Sequence, residues 1–124
     1  MSMIQMKRAL VIALLFIVSS CSDHYDADNF DTKAIFSVSV SVLQKHEGTR
    51  GNLYQLDWPP LFEKIGAKSV IVRGDGLYIL LSSFFVQEKG LFIPRKGVNV
   101  NVGPQFDPSY KELKDGVYSY VIKG

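Results

Sequence analysis

The hydrophobic positions of the chain form one long unbroken run and several short runs. The long run is ten apolar residues at positions 9–18, directly behind Lys7 and Arg8. The later runs are shorter and are separated by glycine, proline and charged residues. Short apolar runs bounded by turn residues are typical of β-strands. The pattern therefore predicts an N-terminal segment of one kind and a sheet-rich remainder.

The N-terminal segment has the pattern of a secretory signal peptide. Two basic residues precede the apolar core, and the small polar residues Ser19 and Ser20 follow it. A membrane-spanning helix needs about 20 apolar residues to cross the hydrocarbon layer. The run of ten is too short for that role. We expect residues 1–20 to be a signal peptide that is cleaved.

The segment Val18-Ser19-Ser20-Cys21 resembles the lipobox of bacterial lipoproteins. The resemblance implies that the Cys21 thiol carries a diacylglyceryl group and that the new amino group is acylated, with palmitate as a typical chain. It also implies a lipid-anchored protein of the cell envelope, whose partner through Cys21 is the lipid bilayer. With serine at position 22, the anchor would be the outer membrane, facing the periplasm, in a Gram-negative organism. The alternative is a secreted protein with an incidental cysteine.

Length and charge limit what the remainder can be. The chain has 124 residues, so removal of residues 1–20 leaves 104, enough for one domain. Without Lys7 and Arg8, 12 basic side chains face 12 acidic ones. A balanced charge leaves no basic footprint for nucleic acid. Cys21 is the only cysteine, so we expect an apolar core rather than disulfides to stabilise the domain.

The residues after Cys21 are polar, acidic and aperiodic up to position 29. We interpret residues 21–30 as the acylated cysteine and a flexible tether. Residues 31–124 are then the globular domain. We expect an α+β fold, a small single domain with an antiparallel sheet and two or three short helices.

The first element of the domain has two interpretations. Residues 37–42 alternate serine and valine, which favours a strand. Asp31 as N-cap and Gly48 beyond the end favour a helix over residues 32–46. We prefer the helix and keep the strand as the alternative.

The remaining elements follow from apolar runs and turn residues. We predict strands at residues 53–56, 68–73, 77–82, 91–93 and 117–122, helical turns at 57–66 and 107–113, and turns at 74–76 and 87–90. We expect the core to include Val70, Val72, Ile79, Leu81, Phe92 and Ile122.

Four segments resemble a group of small uncharacterised bacterial proteins. They are Gly76-Leu77-Tyr78-Ile79, Gly90-Leu91-Phe92, Asp107-Pro108-Ser109-Tyr110 and Val117-Tyr118-Ser119-Tyr120. The resemblance implies one compact fold. It implies no activity and no site residues.

No residue pattern indicates an enzyme, a cofactor or a metal site. The carboxylates Asp75, Asp107 and Glu112 are not spaced to pair with a nucleophile, and two histidines are too few for a histidine-rich metal site. Aromatic residues are the stronger candidates. Tyr118 and Tyr120 lie on one face of a strand, and with Trp58 they form our candidate binding surface. The alternative is that these rings fill the core.

Three functions remain in view. The first is a membrane-anchored envelope lipoprotein that acts as a non-catalytic binding or structural module with a protein partner in the envelope. The second is an inhibitor or immunity lipoprotein that blocks an envelope-targeting toxin or hydrolase. The third, an enzyme, has the least support from the residues.

Overall fold

Alternating apolar residues build a six-stranded antiparallel sheet in residues 24–124, which are the residues that our computed structural model describes. The strands are β1 (Gly51–Asn52), β2 (Ser69–Val72), β3 (Gly76–Phe84), β4 (Gln87–Pro94), β5 (Ser109–Lys114) and β6 (Val117–Ile122). Their order across the sheet is β1-β2-β3-β4-β6-β5. One main helix packs on this sheet, so the fold is an α+β single domain. The predicted signal peptide and Cys21 lie outside the described residues.

The register gives the sheet two distinct ends. The β3–β4 turn at residues 85–86 lies at one end, which we call the tip end. Val72 pairs with Leu77, and Leu77 pairs with Ile93, so the β2–β3 turn lies at the other end, the far end. The β5–β6 turn also lies at the far end, because Tyr118 near the start of β6 pairs with Phe92.

The main helix, α1 (Thr32–Lys45), confirms the preferred interpretation of its segment. The Asp31 side chain accepts a hydrogen bond from the Ala34 N–H at 3.2 Å, which caps the first turn. Five buried residues form one helical face on the sheet: Thr32, Ile35, Ser39, Val42 and Leu43. The serine–valine alternation therefore does not mark a strand, because spacing near 3.6 decides which side chains are buried.

The segment after α1 differs from the prediction. Residues 53–56 do not form a strand: β1 is the pair Gly51–Asn52, and a 3-10 helix follows at Gln55–Asp57. Leu53 keeps one link to the sheet, because its N–H donates to the Val70 carbonyl at 2.8 Å. The helical segment α2 (Pro60–Lys64) begins at a proline and buries Phe62.

The predicted turn at residues 87–90 is wrong. These residues belong to β4, and the chain reverses at residues 85–86 instead. Gly90 is needed for packing rather than for a turn, because a Cβ there would collide with the Ile79 carbonyl and the Tyr120 ring. The predicted helical turns at 107–113 are also wrong, since β5 occupies Ser109–Lys114. The Asp107 carboxylate accepts from the Lys123 backbone N–H at 2.9 Å and does not cap a helix.

Each face of the sheet carries its own hydrophobic cluster. The helix-side cluster includes the predicted core residues Val70, Val72 and Ile79, with Leu81 packed against it. The opposite cluster consists of Tyr78, Phe92 and Tyr120, with Ile122 packed against it. Tyr118 and Tyr120 lie on the same face, as strand alternation predicts.

The segment predicted as tether lies against the sheet from residue 24 onward. His24 Nδ1 and Nε2 hydrogen-bond with the Ser119 and Ser109 hydroxyls, each at 3.0 Å. The Tyr25 N–H donates to Ser119 Oγ, and the Tyr25 hydroxyl donates to Ser82 Oγ at 3.1 Å. A 3-10 helix follows at Ala27–Asn29. The polar composition of this segment reflects hydrogen bonding to buried serines, so the ordered domain begins earlier than residue 31.

Among residues 24–124, no helix combines the length and apolar character needed to span a bilayer.

Candidate functional site

The three residues of the predicted binding surface do not lie together. Trp58 is half-buried against the helix-side cluster, and its Nε1–H donates to the Leu53 carbonyl at 3.0 Å. Tyr120 is only 1% exposed and makes an edge contact with Tyr78 on the opposite face. Tyr118 is half-buried on that same opposite face. Tyr118 and Trp58 therefore line two different surface cavities, and Tyr120 belongs to the core.

Tyr120 belongs to an aromatic cluster with buried hydroxyl groups. The Tyr78 hydroxyl donates to Asp75 Oδ2 at 2.7 Å and lies 2.6 Å from the Tyr110 hydroxyl. Burial is the largest cause that raises the pKa of Tyr78, Tyr110 and Tyr120. The Arg73 guanidinium lies over the Tyr78 ring, 5.0 Å from its centroid. Neutral phenols with a raised pKa are poor general bases at pH 7, so this cluster is suited to holding the fold.

The candidate site is a groove at the far end of the sheet. It has a volume of about 660 Å³ and lies between α1 and residues 94–98. We call it the α1 groove. Its apolar lining is Phe36, Val40, Leu43, Pro94, Val98 and Tyr118. Its polar lining is Gln44, Glu47, Arg95 and Lys96. An apolar groove with a few polar groups is suited to binding a peptide segment or a small ligand.

Local sequence explains how the groove is shaped. Phe36 follows the buried Ile35 by one residue, so its ring lies beside the sheet-facing side of α1 and is 38% exposed. Gly116, with φ of +81°, lets the chain turn closely beneath that ring. Pro94 ends β4 and turns the following residues across the end of the helix. Two rigid walls therefore face each other across the α1 groove.

Arg95 supplies the strongest polar group of the groove. Its Nε–H donates to the Arg73 carbonyl at 3.3 Å, and its backbone N–H donates to the Asp75 carbonyl at 2.9 Å. Its Nη2 atom is buried and has no hydrogen-bond partner among residues 24–124. A buried donor without a partner is costly. Arg95 also lines the groove, and a guanidinium is suited to a carbonyl or carboxylate oxygen of a ligand there.

A second, smaller cavity lies behind the loop of residues 95–108. It has a volume of about 250 Å³, and its polar lining includes Asp75, Asn99, Asn101 and Tyr110. Asp75 already accepts from Tyr78, so this cavity has fewer unused groups than the α1 groove. No group of three or more His, Cys, Asp or Glu side chains within the described residues could hold a metal ion.

The sequence patterns did not indicate Phe36 or Arg95. Phe36 becomes a groove residue only when the helical interpretation of residues 32–45 is adopted, because a strand would place it differently. Arg95 is one of several charged residues in a predicted loop, and nothing local marks its buried Nη2. The groove depends on two segments, α1 with Glu47 and residues 94–98, that are more than 40 positions apart.

No known protein family matches the chain, and neither a curated protein nor a solved structure is similar to it. The function must therefore be argued from the residues and the geometry.

Proposed function

We propose that this chain is a lipid-anchored protein of a bacterial cell envelope, whose domain binds a protein partner without catalysis. The observation that carries the proposal is Val18-Ser19-Ser20-Cys21 directly behind a ten-residue apolar run. In this proposal residues 1–20 are removed, and Cys21 holds the protein in the bilayer. Two or more acyl chains anchor a protein firmly, whereas one chain holds it only marginally. In a Gram-negative organism the domain faces the periplasm from the outer membrane.

The binding part of the proposal rests on the α1 groove. Arg and aromatic side chains dominate the binding energy of many protein interfaces. The groove offers Phe36 and Tyr118 as apolar contacts and Arg95 as a donor. The proposed ligand is an extended protein segment with a backbone carbonyl or a carboxylate that binds the Arg95 guanidinium.

A non-catalytic role agrees with how the carboxylates are used. Asp75 accepts from Tyr78, and Asp107 accepts from the Lys123 N–H. Both therefore have structural partners. We further propose that two or three short helices accompany the sheet.

The alternative is an inhibitor or immunity lipoprotein that occludes a toxin or hydrolase. The Arg95 guanidinium in the groove favours it, because a charge-assisted hydrogen bond to a partner's carboxylate is among the stronger contacts in a tight interface. The two functions differ in the number of partners and in the strength of the complex.

Two experiments test the proposal. Intact-mass measurement of the membrane-bound protein should show cleavage before Cys21 and added acyl mass, and Cys21→Ser should remove both. A photo-crosslinking residue at Val40 should give adducts in living cells, while the same residue at exposed Thr49, outside the groove, should not. One stoichiometric adduct would favour the inhibitor, and several weaker adducts a general binding module. A cleaved but unacylated protein, or equal adducts from both positions, would contradict the proposal.

A further inference from the structure

Three consecutive apolar residues are exposed at the β3–β4 turn. Phe84 is 71% exposed, Phe85 91% and Val86 71%. We call these residues the hairpin tip. A run of exposed apolar residues at a turn opposes solubility and is retained where it has a binding role. The hairpin tip therefore needs a partner that covers it.

The backbone at Phe85 supports this reading. Phe85 has φ of +55°, a conformation that bulky residues adopt at a cost and that glycine or asparagine usually provides in hairpin turns. Its ring contacts Phe84, with the two centroids 4.5 Å apart, and otherwise points into solvent. The folded domain alone does not explain an aromatic residue at this position.

The N-terminal segment places the proposed anchor at the same end of the sheet. The Tyr25 hydroxyl donates to Ser82, which precedes Phe84 by two residues on β3. Two strand residues span about 7 Å. Cys21 precedes His24 by three residues, and three residues of extended chain reach at most about 11 Å. The Tyr25 backbone itself is bonded at Ser119, whose strand partner Leu91 is four residues along β4 from Gln87. A bilayer that holds an acylated Cys21 therefore comes within reach of the tip end when the three linking residues extend toward it.

We propose that the hairpin tip is a second membrane contact, which inserts into the interface of the bilayer that holds the acyl chains of Cys21. This inference rests on the proposed lipidation. Phenylalanine rings are suited to the boundary between headgroups and acyl chains. Exposed Lys68 and Lys123 lie beside the tip end, where they can meet anionic headgroups. Two acidic residues lie near Lys123: Asp107 accepts from the Lys123 N–H, and Glu88, whose strand partner is Ile122, is half-buried.

A lipid surface fits the tip better than a protein does. A second copy of the chain would have to approach the end of the sheet that the short link to Cys21 holds beside the bilayer. The two contacts together would fix the orientation of the domain, with the α1 groove directed away from the membrane.

The test uses the full acylated chain in vesicles of phosphatidylethanolamine and phosphatidylglycerol. Phe85→Cys introduces one free thiol, because an acylated Cys21 has none, and this thiol is labelled with an environment-sensitive fluorophore. Thr49→Cys is the matched control, since Thr49 is exposed and lies just before β1, whose Gly51 pairs with Val72 at the far end. Phe84→Cys is a second tip position in case Phe85→Cys is poorly produced.

Nitroxide-labelled acyl chains in the vesicles should quench most of the emission at Phe85→Cys and shift it to shorter wavelength. Emission at Thr49→Cys should change little. Equal, weak quenching at both positions in a protein of acylated mass would overturn the tip proposal and leave the anchor intact. A second label on Cys21, seen by mass, would show instead that the lipidation proposal had failed. A Phe85→Cys disulfide dimer that forms in vesicles without quenching would assign the tip to a second copy and also overturn the proposal.

Discussion

The hydroxyl oxygens of Tyr78 and Tyr110 lie 2.6 Å apart, although the two residues are on strands that do not pair with each other. The Tyr78 hydroxyl donates its hydrogen bond to Asp75 Oδ2 at 2.7 Å. Tyr110 must therefore donate to the Tyr78 oxygen, which makes a directed chain from Tyr110 through Tyr78 to Asp75. This chain joins β5, β3 and the β2–β3 turn on the face of the sheet away from α1.

Alkaline solution should destabilise the domain through these phenols. Burial raises the pKa of Tyr78 and Tyr110 above the ordinary value. Below about pH 10 both the folded and the unfolded states keep the phenol protons, so the phenols give stability no dependence on pH in that range. Above that pH the unfolded state releases protons that the folded state retains, and the free energy of unfolding falls. Urea denaturation at a series of pH values from 8 to about 11 measures this decline.

Tyr78→Phe should make the decline with pH shallower and should also cost about 1–3 kcal/mol at neutral pH, because Asp75 and Tyr110 lose a partner. The matched control is Tyr54→Phe, since Tyr54 is 80% exposed. A control as unstable as Tyr78→Phe, or an unchanged alkaline slope in Tyr78→Phe, would contradict this account.

Ser39→Ala should leave the domain equally stable or stabilise it by about 1 kcal/mol, because it removes a buried group that has no partner. Ser39 is fully buried on the sheet-facing side of α1, and its Oγ has no hydrogen-bond partner within the described residues. Alanine also has the higher helix propensity. The exposed Ser41 is the control: its hydroxyl donates to the Ser37 carbonyl at 3.2 Å, so Ser41→Ala reports helix propensity together with the loss of one exposed hydrogen bond. A clear loss of stability in Ser39→Ala, measured by thermal unfolding, would show that Oγ has a partner.

Gly90→Ala should prevent folding or cost at least about 3 kcal/mol. A Cβ at this position would collide with the Ile79 carbonyl in β3 and the Tyr120 ring in β6, and both neighbours belong to the packed sheet. Gly48→Ala is the control, because a Cβ there meets nothing within 4 Å. Circular dichroism and chemical denaturation of the two variants compare them directly. A Gly90→Ala protein that is as stable as Gly48→Ala would show that β3 and β4 can separate at this point.

His24→Ala should cost about 1–2 kcal/mol, because Ser109 and Ser119 each lose one hydrogen bond. Both serines are almost fully buried, which makes the loss larger than at a surface. Lys111→Ala is the control in the same region: its salt bridge to Asp26, at 3.3 Å, is exposed and should contribute little. Hydrogen exchange at residues 24–30 should accelerate in His24→Ala. Equal stability and equal hydrogen-exchange rates in the two variants would favour the flexible-tether interpretation of residues 24–30.

Elements defined by local signals were predictable. Asp31 marks the start of α1 because its side chain caps the helix within three residues. The final strand at 117–122 agrees with β6, since its alternating residues are buried on both faces. The predicted core residues Val70, Val72, Ile79 and Phe92 are buried for the same reason.

Features that depend on distant contacts were not predictable. Gly90 has the composition of a turn residue, yet its role is set by Tyr120, 30 positions later. Asp107 followed by proline is typical of a helix start, but Lys123 provides its partner. The burial of Tyr120 arises only when Tyr78 and Phe92 pack against it, and the α1 groove arises only when α1 and residues 94–98 come together. Periodicity correctly assigned Tyr118 and Tyr120 to one face and carried no information on what covers that face.

The two edges of the sheet have a consequence for the proposed lipid anchoring, which would concentrate the protein on a membrane surface. An exposed edge strand is a template for pairing with another chain, and crowding increases the rate of such encounters. At one edge, β1 has only two residues, too few to accept a partner strand. At the other, β5 presents exposed Lys111, Glu112 and Lys114. Neither edge therefore offers a long apolar strand to a neighbouring molecule. Strand-to-strand aggregation is disfavoured at both edges, including at a high surface concentration of the protein.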